Sequence, residues 1–288
     1  MERKVIISTD STADLTPELV EKYNVRVVPL GLEMDGVLYR DGLDITPDDL
    51  YAYHQKTGKL AHSSAYSIGD YEDHFSALVE QGYDVVHVGL ADYLSCTFHN
   101  AQLAAEEMKH VYVVNSKRLS TGIGLLVLKA AELAAEGVSA KEIAQQMEEL
   151  AYHVDASFVV DTLEYLHAGG RCSGVAKFGA NLLKIKPQIV VYDEKMDTGK
   201  KYRGKITACR AQYMQDQLHD LDDVCLDRIF LTHSGMPQEE IDLALEQLRA
   251  IADFKEILVT RAGCVISCHC GPGTMGVLFI RKSRVFED

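Results

Sequence analysis

Short apolar runs alternate with helix-period segments through the first half of the chain, and this alternation constrains the fold more than any other feature. Strands that recur between amphipathic helices require crossover connections, which is how a parallel sheet is assembled. Residues 4–8, 25–30, 85–90 and 111–114 are the expected strands. Residues 17–23, 47–54, 69–80, 95–108 and 121–136 carry apolar side chains at three- and four-residue spacing, the helical period. The stretch 33–40, with Asp35-Gly36 at its centre, reads as a hairpin. Ser139 followed by Glu142 has the form of a capping box and opens a further helix to about His153.

Beyond that helix the pattern changes. Expected strands at 156–160, 188–192, 202–206, 228–232, 257–260, 265–267 and 276–280 lie closer together, with fewer helices between them. The sequence therefore predicts an α/β protein of two domains: an N-terminal three-layer parallel-sheet domain over 1–154 and a C-terminal two-layer mixed-sheet domain over 155–288. No internal repeat or low-complexity segment interrupts either part.

With 288 residues, 47% of them hydrophobic, the chain has ample material for a core. Its formal net charge of -14, with no dense Lys/Arg run, argues against nucleic acid and anionic membrane surfaces as partners. No apolar run is long enough to span a bilayer. Met1-Glu2-Arg3-Lys4 and the short run after it lack the apolar core and cleavage site of a secretory signal. The seven cysteines are odd in number and show no C-x-x-C spacing, as expected of reduced, buried residues in a cytoplasmic protein.

Five polar clusters break this background: Asp10-Ser11-Thr12, His62-Ser63-Ser64, Ser95-Cys96-Thr97, the segment from Gly169 to Ser173, and the segment from Cys268 to Thr274. Hydroxyls, a guanidinium, an imidazole and glycines that bare backbone N–H groups are the means by which proteins hold a carboxylate or phosphate. No acid/base pair stands beside a nucleophile in these clusters, so the first expectation is an anion-holding site with no catalytic residue. Ser63 and Ser64 are expected in a turn before the helix near Ile68, and Ser95 at the start of the next helix, where a serine caps and an anion is also welcome. Arg171 follows a glycine-capped helix at 162–168 and is free to project inward. The stripe Val175, Phe178, Gly179 and Leu182 suits either core or a tunnel wall. Asp10 to Asp14 is expected to cap the helix near Thr16 and order the mouth of the sheet.

Two motifs have competing interpretations. Gly271-x-Gly273-x-x-Gly276 matches a dinucleotide-binding pattern by letter, yet an apolar strand follows where a helix is needed, and the chain ends before an acidic residue can be supplied. Cys264, Cys268, His269 and Cys270 suggest zinc, but on a strand only alternate members of 268–270 share a face, so no metal is expected.

Taken in order, these pieces resemble the DegV family of bacterial fatty-acid-binding proteins. The likeness rests on Asp10-Ser-Thr-Ala-Asp-Leu15, Ser63-Ser64 before Gly69-Asp70-Tyr71, and Leu94-Ser95-Cys96-Thr97. It continues through Leu163-Glu164-Tyr165-Leu166 into Gly169-Gly170-Arg171, then Leu183-Lys184-Ile185-Lys186-Pro187, and His269 before Gly271-Pro272-Gly273-Thr274, a DegV-type unit over about 4–283. The resemblance implies a long-chain fatty acid such as palmitate between two α/β domains, and no cofactor. Ser63, Ser95, Arg171 and His269 fall at the family's head-group positions. The tail is expected in an apolar tunnel walled by Val175, Phe178 and Leu182. Family members with an assigned role present the acid to a separate kinase, which makes an acyl phosphate, and Arg203 is the expected contact with such a partner.

Two departures stand out. Where the family has T-S-Q-P-S this chain has Ser63-Ser64-Ala65-Tyr66-Ser67, and where it has S-S-G-L-S-G this chain has Ala91 to Cys96 with Asp92 inside. Asp92 must face solvent if a carboxylate is to bind nearby. The competing expectation is a serine-dependent hydrolase or acyltransferase, with Ser63 or Ser95 as nucleophile and His269 as base.

Overall fold

The computed structural model describes residues 3–172, 185–192 and 194–285. Its first half runs β1 (Lys4–Asp10), α1 (Pro17–Lys22), β2 (Arg26–Val28), β3 (Gly31–Met34), β4 (Val37–Arg40), α2 (Pro47–Thr57) and β5 (His62–Ser64). It continues through α3 (Ile68–Glu80), β6 (Tyr83–Gly89), α4 (Thr97–Ala105), β7 (Val111–Asn115), α5 (Thr121–Ala135) and α6 (Ala140–Leu150). The second half holds β8 (Val154–Val159), α7 (Glu164–Gly169), β9 (Ile185–Val191), β10 (Met196–Arg203) and α8 (Ile206–Gln217). It ends with β11 (Val224–His233), α9 (Gln238–Ile251), β12 (Glu256–Arg261), α10 (Cys264–Cys270) and β13 (Met275–Arg281).

Strands β2-β1-β6-β7 form an all-parallel sheet, as the alternating pattern requires. Successive residues point to opposite faces, so Ile6 and Val85 pack with Tyr71 and Phe75 of α3, while Ile7 and Val86 pack with Ile123 of α5 and Ile143 of α6. The capping box of Ser139 and Glu142 is in place at the start of α6. The second sheet has the order β10-β9-β8-β13-β11-β12; only β11 and β12 run parallel, and α8 and α9 cover one face.

Helix α5 joins the two halves. Apolar almost all round, it is buried over most of its length, with Lys129, Glu132 and Ala135 partly or fully exposed. Ile123 and Leu126 belong to the same core as Ala156, Phe230 and Leu278 of the mixed sheet. Gly124 permits the close approach: a Cβ there would lie 3.2 Å from the Ala13 carbonyl oxygen.

A third, small sheet has the order β4-β3-β5. Asp35 and Gly36 both take positive φ (51° and 81°), the conformation that a two-residue hairpin turn demands. Ser63 and Ser64, expected in a turn, lie on β5, paired with Leu32 and Gly31 of β3.

The second half departs further from expectation. Residues 265–267 are not a strand but the middle of α10, because acidic side chains from the first half take up the N–H groups at its start. The strand expected at 202–206 is β10, which ends at Arg203, and Ile206 instead opens α8. Helices α8 and α9 supply the helical layer expected behind the mixed sheet, in stretches to which no particular element was assigned. Thr16, not Asp10 or Asp14, caps α1, its hydroxyl accepting from Leu19 N at 3.4 Å.

Candidate ligand-binding site

Ser63 of β5, Ser95 just before α4, Arg171 just after α7 and His269 of α10 all line one cavity, although each comes from a different region of the chain. The cavity has a volume of about 230 Å³. Most of its wall is apolar, with Leu94, Leu119, Phe158, Leu166, Met196 and Leu278 among the contributors. Strand β5 of the small sheet, the mixed sheet, α10 and the loop from Leu90 to Cys96 contribute its walls.

Ser63 Oγ and His269 Nε2 share a 2.9 Å hydrogen bond. Burial, with Arg171 and His62 nearby, lowers the His269 pKa to about 4, so the imidazole is neutral at neutral pH. The other ring nitrogen, Nδ1, is buried and has no hydrogen-bond partner among the described residues. It lies against Gly169, where a Cβ would overlap the ring nitrogen itself. Gly271 meets a similar demand: it takes φ +72°, and a Cβ there would fall 2.6 Å from the Tyr165 ring. These glycines let α7 and α10 pack closely enough to bring Arg171 and His269 to one wall.

Gly170, at φ 66°, ends α7 as a left-handed cap. Arg171 is exposed, and its Nη1 donates to the Gly169 carbonyl at 2.7 Å. Ser95 Oγ accepts from Thr97 N at 3.2 Å, so it serves the first turn of α4 while also lining the cavity. Cys96, where the resembled family has glycine, is exposed and lines the cavity beside it.

The segment from Asp10 to Asp14 organises this region from behind. Asp10 accepts from Leu90 N at 2.9 Å and so fixes the start of the loop that leads to Ser95. Asp14 accepts from Ser120 Oγ at 2.5 Å and from Gly263 N at 2.8 Å. Asp41 accepts from Cys264 N at 2.7 Å and from Ser11 Oγ at 2.9 Å. Burial raises the pKa of all three carboxyls, and the backbone N–H bonds work against that rise. Asp41 was not singled out from sequence, because the helix start it serves lies more than 200 residues away, and Asp14 was expected only as a cap for the helix near Thr16, its partners Ser120 and Gly263 being remote in sequence.

Asp92 does not line the cavity; its carboxylate accepts from Tyr93 N at 2.9 Å. Val175, Phe178 and Leu182 lie outside the described residues. The apolar wall that is described comes instead from residues such as Phe158 of β8 and Leu278 of β13, which strand alternation could have assigned to a common face. Arg203 is exposed at the end of edge strand β10 and does not line the cavity, although Met196 at the start of the same strand does. The Gly271-to-Gly276 segment is preceded by a helix and followed by a strand, the reverse of a dinucleotide-binding turn. Because 264–270 is helical, the strand argument applied to its cysteines and histidine does not hold; among the described residues no three His, Cys, Asp or Glu side chains converge as a metal site.

A family model described as an uncharacterised protein of the DegV family matches residues 4–282. The chain belongs to the DegV family. A DegV domain-containing protein of Caldanaerobacter subterraneus is 30% identical over 285 residues, covering 97% of this chain and 99% of the relative. In structure the chain is similar to a DegV family protein of Thermus thermophilus described by its fatty-acid binding, with a TM-score of 0.88, 30% identity, and 96% and 99% of the two chains covered. It is also similar to a stearic-acid-binding protein of Eubacterium ventriosum, with a TM-score of 0.84, 27% identity, and 96% and 98% covered. Among the described residues, no helix of this DegV protein is long and apolar enough to cross a membrane.

Proposed function

We propose that this DegV protein binds a long-chain fatty acid such as palmitate between two units, 1–154 and 155–288. The observation that carries the reading is the meeting of Ser63, Ser95, Arg171 and His269 at one cavity that is otherwise mostly apolar. The DegV relatives described as fatty-acid binders support it.

In this reading the carboxylate is held by Ser63, Ser95 and Arg171. In its Nε2–H tautomer, neutral His269 donates to Ser63 Oγ, which leaves the serine hydroxyl to donate to the carboxylate. The tail runs over Phe158, Met196 and Leu278. Burying some fifteen carbons from water is worth roughly 12 kcal/mol gross at ~0.8 kcal/mol per methylene, before association costs. A charged hydrogen bond adds about 1.5–3 kcal/mol net. Affinity therefore comes from the tail, and orientation from the head group.

The role is lipid transport or presentation in the cytoplasm, without chemistry on the acid. Arg203, exposed at the end of edge strand β10, offers a positive charge on a chain of net charge -14, suited to an acidic surface on a separate fatty-acid kinase. Titration with palmitate tests the binding: saturable uptake of one acid per chain is expected, and no uptake overturns the reading.

One contact favours the alternative of a serine hydrolase or acyltransferase. Ser63 and His269 are within hydrogen-bond reach, as a nucleophile and base require. Against this, no carboxylate orients His269, whose Nδ1 has no partner among the described residues, and Ser95 bonds its own helix. A fluorophosphonate probe separates the two: the binding reading expects no covalent label, and labelling of Ser63 favours the enzyme.

A further inference from the structure

We infer that Asp41 is a positioning residue of the head-group site, acting on Ser63 and His269 through α10 without lining the cavity itself; the inference rests on the fatty-acid reading above. The argument begins with the small sheet. Strand β3 pairs on one side with β4 (Gly31↔Arg40) and on the other with β5 (Leu32↔Ser63), so Asp41, which directly follows β4, and Ser63 are carried by one rigid unit. Asp41 N donates to Leu30 O at 2.9 Å and extends that unit by one residue.

Helix α10 bears on this unit at both ends. At its start the Asp41 carboxylate, 4% exposed, accepts from Cys264 N at 2.7 Å and Val265 N at 3.4 Å. At its end His269 bonds Ser63 at 2.9 Å. A helix of seven residues rises only about 10 Å and turns about 100° per residue, so a slip of one position would swing His269 off the serine. Asp14 holds the residue before the helix through Gly263 N, but it sits beyond β1 and not on the sheet that carries Ser63. Asp41 is thus the group that sets α10 against the strand that bears its hydrogen-bond partner.

A carboxylate is the fitting choice. Three donors converge on it, the third being Ser11 Oγ at 2.9 Å, and an amide of the same shape would turn an N–H toward one of them.

The test is Asp41→Asn, read alone and in a Ser63→Ala background. In ligand-free protein the 15N resonances of the His269 ring are expected to move, because the ring loses its fixed place beside Ser63. Palmitate affinity is expected to fall about 10-fold in the single variant and not at all further in the Ser63→Ala background, as coupled groups behave. Unmoved His269 resonances, or an undiminished loss in that background, overturn the inference. Should Asp41→Asn fail to fold, Ser11→Ala removes the hydroxyl that donates to the carboxylate and accepts from Leu30 N, and the same two readings apply to it. If the unaltered protein takes up no palmitate, the fatty-acid reading fails, and the ligand-free His269 spectrum still decides the role of Asp41.

Discussion

Ser63 Oγ lies 2.9 Å from His269 Nε2 across 206 residues of sequence, and both line a cavity whose wall is mostly apolar. If the two side chains act as one unit on the ligand head group, their removal is not additive. Ser63→Ala and His269→Gln are each expected to weaken palmitate binding about 10-fold, and the double variant scarcely more than either. Titration calorimetry of the three variants checks this; fully multiplied losses contradict it.

Gly169 governs the same ring from its other side. Gly169→Ala sets a methyl where His269 Nδ1 now lies, so the imidazole must shift. Palmitate affinity is expected to fall by an order of magnitude, with a stability loss of about 1–3 kcal/mol from overpacking, read from urea unfolding. An unchanged affinity would show that the ring has slack.

How far the sequence reveals this site depends on how local each signal is. The parallel sheet, the Asp35-Gly36 hairpin and the Ser139–Glu142 cap are set by neighbouring residues and were readable from pattern alone. Helix α10 was not: its run of Val265, Ile266 and cysteines has no helix preference, and its start is fixed by Asp14 and Asp41 from the far end of the chain. Ser63, Ser95, Arg171 and His269 came from an ordered family resemblance, since spacing along the chain does not show that they meet. Asp41 carries no local pattern at all.

Tail length follows from the apolar wall. Leu278, 3% exposed, lines the cavity floor on β13. Leu278→Phe is expected to shift preference from C18 toward C12 acids, since each methylene that no longer fits forfeits ~0.8 kcal/mol. Competition between the two acids measures it; an unaltered ratio places the tail elsewhere.

Acid should act on the fold through His269. Its folded pKa of about 4 lies below the ordinary 6.5, so the unfolded chain binds the extra proton between those values. The stability this ring contributes is therefore complete above about pH 6.5 and is lost as pH falls toward 4. Asp14 has the opposite sign: burial raises its carboxyl well above 3.8, so its contribution is lost as pH rises through that raised value. His269→Gln is expected to flatten the dependence of unfolding free energy on pH between 4 and 6.5, and Asp14→Asn to steepen it. Urea unfolding across that range distinguishes the two, and a His269→Gln curve parallel to the parent contradicts the assignment.

The most direct measurement of all is mass spectrometry of small molecules released when the purified protein is denatured. Release of a C14–C18 fatty acid, near one per chain and diminished by Arg171→Ala, is the result expected. A protein that releases no acid and takes up none from added palmitate would contradict the central claim.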